Sequence, residues 1–487
     1  MAALLVVGLT ALAAAGCGDS GEGGGGGAPQ PAPGLDGGLP DAGAPDAGAP
    51  DAGAPDAGAP DAGAPDAGPA KVETGATFER HPFSQDVLEV GTDAAGRTHV
   101  LVRYTGTPDF QGRTLPNDGT GSLQHAVVLL DAQLQATAVH ALPSGGSRES
   151  GDEGPRGPEY HLAVLPDGSE ALGGTFRDPL VTPVGTLTGR PFPDSNGFVA
   201  LLSPEGTWRF ARALTAERSL AVRDVAASAT SIALAGSFSG ASSELGLDAP
   251  PAGVEAQGLL LRVDLEGATR TVHAFTGSVR GFGSGVALGP ADDSFVAGHT
   301  VVTASDGSPM VTPYLARVNA NGGVVWEKRF GEFSGQLDRI AVGPDGTVAS
   351  VGRFNTEREV RWGRSLLATA AARTVLLVAA YDGPAQWGQE LGRSMLGANV
   401  AVDARGLVTV AGRASGVQDL GGGALGTAGA PSLFVARLSG TGAHQWSIAL
   451  PIEEVNPPFP VDVAVRADGQ GRVAEGDALF SFTPTRP

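Results

Sequence analysis

The sequence predicts an all-β protein: a seven-bladed β-propeller of four-stranded antiparallel blades, preceded by a disordered linker. Three observations carry that expectation. A unit of about sixty residues recurs from about Thr74 onward, a period that marks repeat architectures. Each unit reads as two β-hairpins in series, with aliphatic and β-branched runs broken by Gly, Asp, Asn and Pro turns. The last unit stops after three strands, VDVAVRADG, QGRVAEG and DALFSF within Val461–Phe482. The stretch GATFERHPF (Gly75–Phe83), ahead of the first complete unit, supplies a fourth. Pairing the two ends of the chain in one blade would close the ring and remove the exposed edges of an open array.

Taken in order, residues 1–16 form an apolar run of Leu, Ala and Val, too short to span a membrane as a comfortable helix, and read as a signal peptide. Cys17, the one cysteine of the chain, follows directly. Ala14-Ala15-Gly16-Cys17 resembles a bacterial lipobox, in which the chain is cut before the cysteine and the thiol is acylated. Ala14 departs from the usual Leu there, and no Lys or Arg precedes the apolar run. Gly18 after the cysteine fits an outer-membrane rather than inner-membrane address in the usual sorting pattern. The expected partner of this end is therefore the membrane, through a lipid anchor of two or three chains.

Residues 17–70 are the lipidated cysteine and a linker. Six copies of Pro-Asp-Ala-Gly begin at Pro40 and end with the copy at Pro65. Proline removes a backbone donor every fifth residue and no large apolar side chain recurs, so nothing in this stretch can bury a core. The formal charge is −20, and the eight Asp and one Glu of Gly18–Ala70 leave −11 for the rest. That balance argues against nucleic acid as a partner.

Residues 71–487 are the propeller. First hairpins turn at Asp93–Gly96, Pro166–Gly168, Ala227–Ser231, Gly289–Asp293, Pro344–Gly346, Asp403–Gly406 and Ala467–Gly469. Second hairpins begin in runs such as FVALLSPEG from Phe198 and LLLRVDLEG from Leu259. Continuous apolar runs of this kind fit strands covered on both faces. Tryptophans at 208, 326, 387 and 446 mark the fourth strand, blades 1 and 3 lacking one. Val400-Ala401-Val402-Asp403, Val410-Ala411-Gly412, Phe434–Leu438 and Trp446 resemble the bacterial lipoprotein repeats of the seven-bladed propeller (SBBP) type, and blades 4 to 6 carry the likeness best. The resemblance implies the fold and leaves function open, since propellers host enzymes, binders and scaffolds.

No nucleophile elbow, P-loop, zinc-protease helix or EF-hand loop occurs in the propeller, and the eight His show no metal-ligand spacing, so neither metal nor cofactor is expected. Asp152-Glu153, Asp292-Asp293 and Glu453-Glu454 read as solvated turn residues. Aligning units on Gly174, Gly236, Gly298, Gly352 and Gly412 places Thr175, Ser237, His299, Arg353 and Arg413 in one column, joined by Arg103. Because the second strand ends on the face of the long second-to-third-strand loops, Arg103, His299, Arg353 and Arg413 are the expected anion-binding residues. Phe176, Phe238 and Phe354, one position on, read as blade packing.

The functional expectation is a non-enzymatic, monomeric binding module of the cell envelope, in the periplasm or at the surface. Its ligand, an envelope polysaccharide or another protein, would meet the loop face, notably residues 104–124, 177–197, 239–257 and 354–374. The alternative is a propeller enzyme. A quinoprotein-like dehydrogenase is faintly suggested by Gly442–Trp446, and a glycan-cleaving enzyme would need a carboxylate pair at catalytic spacing.

Overall fold

The computed structural model describes residues 75–485, apart from 118, 120–122, 146–156, 191–193, 305, 331–333, 356–359, 368–371, 394 and 454–460. The expected signal peptide, Cys17, the expected linker, and the acidic residues Asp152, Glu153 and Glu454 lie outside the described residues.

Among the described residues every regular element is a strand, and seven four-stranded antiparallel sheets form the blades. Blade 1 comprises Asp86–Thr92, Thr98–Tyr104, Gln124–Leu130 and Ala136–Leu142, and blade 2 Glu159–Val164, Glu170–Phe176, Asn196–Leu202 and Trp208–Leu214. Blade 3 runs Ser219–Ala227, Ser231–Ser239, Gln257–Asp264 and Thr269–Phe275. Blade 4 runs Arg280–Leu288, Ser294–Thr303, Pro309–Val318 and Val324–Arg329. Blade 5 has Ser334–Val342, Val348–Asn355, Ala372–Ala379 and Ala385–Arg393, and blade 6 Leu396–Val402, Val408–Ser415, Pro431–Leu438 and His444–Pro451. Blade 7 joins Asp462–Val465, Gly471–Glu475 and Ala478–Pro484 to the N-terminal strand Ala76–Pro82.

The first strand of each blade packs against the first strand of the next, blade 7 returning to blade 1, so these strands line the axis of a closed ring. Seven separate apolar clusters lie between successive blades. Both faces of a middle strand are therefore covered, and all seven residues of Gln124–Leu130 are buried. Each large aliphatic side chain buried this way contributes about 1.5–3 kcal/mol. Phe176, Phe238 and Phe354 are buried in these clusters, as blade packing requires.

Closure follows the expected register: Ala76 pairs with Pro484 and Pro82 with Ala478. Phe78 lies 5.3 Å, edge-on, from Trp446 of blade 6, which holds the closing strand against its neighbour as well as its partner.

Two sequence expectations change. In blades 4, 5 and 6 the fourth-strand tryptophan sits opposite Arg317, Val378 and Arg437, just before a bulge. The equivalent places in blades 2 and 3 belong to Phe210 and Thr271; Trp208 stands beyond the bulge, opposite Leu202. The column serves the next blade's turn. A Cβ on Gly267, Gly322, Gly383 or Gly442 would meet Phe210, Thr271, Trp326 or Trp387, and the Trp387 indole donates to Gly440 O at 2.8 Å. The glycine of Gly442–Trp446 is thus placed by packing against the preceding blade.

The long loops are also less free than their sequences imply. Blades 1, 2, 5 and 6 carry small two-stranded hairpins there, at Asp109–Phe110 with Arg113–Thr114, Leu180–Thr182 with Gly185–Leu187, Val360–Trp362 with Ser365–Leu367, and Gln418–Asp419 with Ala424–Leu425. Their apolar residues, Phe110, Leu180, Trp362 and Leu425 among them, are buried in the clusters beneath. The hairpins roof the blade interfaces.

Candidate functional site: an axial girdle and the mouth above it

One position of the first strand recurs in the same register in all seven blades. Glu89, His161, Asp224, Gly285, Arg339, Asn399 and Asp462 lie opposite Leu101, Gly173, Ala235, Ala297, Val351, Ala411 and Ala474 of the second strands. In blades 1, 3, 4, 5 and 6 the pairing slips just before this residue, so an additional residue bulges out of the ladder. The ring formed by these residues was not expected from the sequence. A signal was present: Glu89, His161, Gly285, Arg339, Asn399 and Asp462 each stand seven positions before the left-handed residue of their turn, Gly96, Gly168, Asp292, Gly346, Gly406 and Gly469.

An innermost strand is an edge, and its outward N–H groups need acceptors. The girdle supplies several of them from the neighbouring blade. Asp462 accepts from Val90 N at 2.7 Å, Glu89 from Leu162 N at 2.5 Å and Asp224 from Val286 N at 2.8 Å. Side chains complete the net. His161 Nδ1 lies 2.7 Å from Glu89 Oε1, Asn399 Nδ2 donates to Asp462 Oδ1 at 2.6 Å, and the Arg339 guanidinium donates to Ser284 O at 3.3 Å.

Burial disfavours every one of these charges, and the neighbours decide which survive. Against burial, the His161 imidazolium and the Leu162 amide hold Glu89 below the usual carboxylate range, and Glu89 in turn holds His161 above the usual imidazole value. Arg339 is held charged, against burial, by Asp224, Glu89 and Asp462. Burial raises Asp224, and burial together with Glu89 pushes Asp462 up to about 7. Three carboxylates thus share the field of one guanidinium and one imidazole.

The column read from the sequence lies nearer the loop face, two residues along each second strand. Arg103 pairs with Asp86 at 3.1 Å, and the neighbouring His125 is pushed down to about 3 by burial and by Arg103. Thr175 Oγ1 exchanges hydrogen bonds with the backbone of Val222 in blade 3. His299 stacks on Phe282 at 4.9 Å and is pushed down to about 4 by burial, then by Arg223 and Arg353. Arg353 is half exposed and 3.7 Å from Asp338. Arg413, expected in the same ring, is instead buried, with Nε donating to Glu475 Oε1 of blade 7 at 2.8 Å. It is an inter-blade ion pair. The structure sets His299 and Arg353 at the same level of neighbouring blades and adds Arg223, the bulged residue of blade 3, which lies over the ring that His299 stacks on and which the sequence reading passed over.

Asp292 and Asp293 are not simply solvated turn residues. Asp293 is buried against Arg317 and the Tyr381 hydroxyl, and Asp292 accepts from Ser228, Thr230 and Ser231 and pairs with Arg262. Among the described residues no group of three or more His, Cys, Asp or Glu is arranged to hold a metal ion.

No family model matches this chain, and no curated protein does. Solved structures similar to it include Kuenenia stuttgartiensis hydrazine synthase, 12% identical over 86% of this chain and 99% of that one, with a TM-score of 0.43. An α-L-arabinanase of Penicillium chrysogenum in complex with arabinobiose is 10% identical over 84% and 98%, TM-score 0.41. A PL25 ulvan lyase is 9% identical over 83% and 95%, TM-score 0.41.

Proposed function

We propose that the protein is a bacterial envelope lipoprotein of the SBBP-repeat type, anchored through Cys17, which holds a non-enzymatic propeller out on its Pro-Asp-Ala-Gly tether to bind an acidic envelope polymer. The observation that carries the reading is the mouth of the ring on the loop face, where Arg223 lies over Phe282, His299 stacks on the same ring and Arg353 stands at the matching level of blade 5. Charged groups elsewhere near the axis are engaged with backbone amides or with each other, as catalytic carboxylates free to reach a substrate would not be. A chain of net charge −20 repels polyanions in bulk, so binding one requires a local concentration of cations such as this.

Two measurements test the reading. Palmitate labelling of the expressed protein and of Cys17→Ala decides the anchor: label on the parent alone supports it, and label on neither removes it. A binding screen of the full chain carrying Cys17→Ala against acidic and neutral envelope polymers decides the module. Retention of at least one polymer without turnover is expected; cleavage or oxidation of any of them overturns the non-enzymatic assignment.

A further inference from the structure

The bulge of blade 3 separates two adjacent charges. Asp224 turns to the girdle and accepts the Val286 amide, while Arg223 is exposed at the mouth. There its guanidinium lies over the Phe282 ring, 5.6 Å from the centroid, while His299 stacks on the same ring. Arg353 holds the equivalent second-strand position on blade 5, opposite Gln336 as His299 is opposite Phe282, and both arginines disfavour protonation of the imidazole. A guanidinium of blade 3 thus lies on the stacked Phe282–His299 pair of blade 4, and a second stands at the matching level of blade 5.

Their counter-charge is thin. Arg223 has the ring of Phe282 as its contact, and Asp338, the carboxylate beside Arg353, is 3.7 Å away. Burial raises Asp338, against Arg353 and Gln336, which weakens it further as a counter-ion. Guanidinium forks left in this condition suit planar or tetrahedral oxyanions, which they take bidentately.

We propose that Arg223 and Arg353 are a two-cation clamp for the oxyanions of an acidic polysaccharide, uronate carboxylates or sulfate esters, with Phe282 and His299 as the fixed spacer between them. The clamp rests on the reading of this face as the binding surface and adds the ligand chemistry and the residues that read it. His299 serves as a spacer, so affinity is set by the two arginines.

The test uses the full chain with Cys17→Ala, and polygalacturonate, dextran sulfate and neutral dextran as probes at near-physiological salt. Arg223→Ala and Arg353→Ala should each weaken binding of the charged probe about tenfold or more, the size expected for a lost charge-assisted pair. Arg209→Ala, which removes the same charge from the exposed fourth strand of blade 2, should change it less than about twofold. His299→Gln should retain affinity. The ratio of the polygalacturonate and dextran sulfate affinities tells carboxylate from sulfate. Equal losses in all three arginine variants would mean a diffuse field and overturn the clamp. Binding of neutral dextran, or of either charged polymer, that is untouched by Arg223→Ala and Arg353→Ala would overturn the clamp and leave the non-enzymatic binding reading standing. Retention of no polymer at all would overturn both readings.

Discussion

Arg223 and Asp224 are neighbours in one strand and belong to two different regions of the molecule. Asp224 is part of the girdle, where charges are spent on backbone amides of the adjacent blade and on one another. Arg223 is part of the mouth, where a guanidinium rests on an aromatic ring beside a half-exposed arginine and a neutral histidine. The girdle is nearly self-satisfied and the mouth is not. A buried polar group that lacks a partner loses stability, whereas an exposed one keeps its capacity for a ligand. In blade 3 a one-residue bulge thus divides two adjacent charges between a fastening ring and a recognition rim.

The comparison presumes a closed ring, and opening it should have the largest effect. Deleting residues 75–82 leaves Ala478–Pro484 without its partner and uncovers Trp446. The loss should be on the order of 5 kcal/mol or more, from uncovering Phe480, Phe482 and Trp446 at about 1.5–3 kcal/mol each, read as the largest fall in urea midpoint of any variant here. A neutral deletion would mean that the closing strand fastens nothing.

Within the girdle, Arg339→Met removes the guanidinium facing Asp224, Glu89 and Asp462. Removing a half-buried guanidinium that acts on three carboxylates and donates to Ser284 O should cost about 1–3 kcal/mol, and chemical denaturation should show it. A cost below about 1 kcal/mol, the value of an exposed pair, would make the girdle ordinary surface.

The girdle should also respond to pH. Asp462 binds its proton more tightly folded, with a value of about 7, than unfolded at 3.8, so between those values the folded chain holds the extra proton. Stability from this group is therefore present at low pH and lost as pH rises through about 7. His161, raised above 6.5, acts in the same sense. Glu89, lowered from 4.5, acts in the opposite sense and withdraws stability only in acid below that value. Thermal stability should fall between pH 5.5 and 8 by an amount on the order of 2 kcal/mol, and Asp462→Asn should flatten that fall. An unchanged slope in the variant would remove Asp462 as the source.

The sequence displayed the blades, their turns and the joining of the two ends, because hairpin glycines and apolar runs are local signals repeated at a fixed period. It also displayed the column containing Arg103, His299 and Arg353, since register follows from alignment. It did not separate Arg413 from them. That arginine differs only in meeting Glu475, 62 residues away on the next blade, and a contact between repeats leaves no local trace. The girdle was hidden for another reason. A single polar residue ahead of an apolar run, as in Glu89-Val90 or Asp462-Val463, looks like the outward half of an alternating strand. Bulges at Leu88 and Arg223 were invisible for the same cause, and Trp208 imitated a column position from which a bulge displaces it.

At the mouth, the smallest stability effect is expected. Arg353→Ala should shift the unfolding free energy by no more than about 0.5 kcal/mol, while polymer binding drops. A large destabilisation would place Arg353 among the fasteners with Arg413.

The adjacent pair in blade 3 gives the most direct measurement: unfolding free energy and acidic-polymer affinity determined side by side for Arg223→Ala and Asp224→Ala. Arg223→Ala should leave stability within about 0.5 kcal/mol and lose binding. Asp224→Ala, which strands the Val286 amide, should lose about 1–3 kcal/mol and, while folded, bind as the parent does. Parallel losses of stability and binding in both variants would contradict the division of the axis into a fastening ring and a recognition rim.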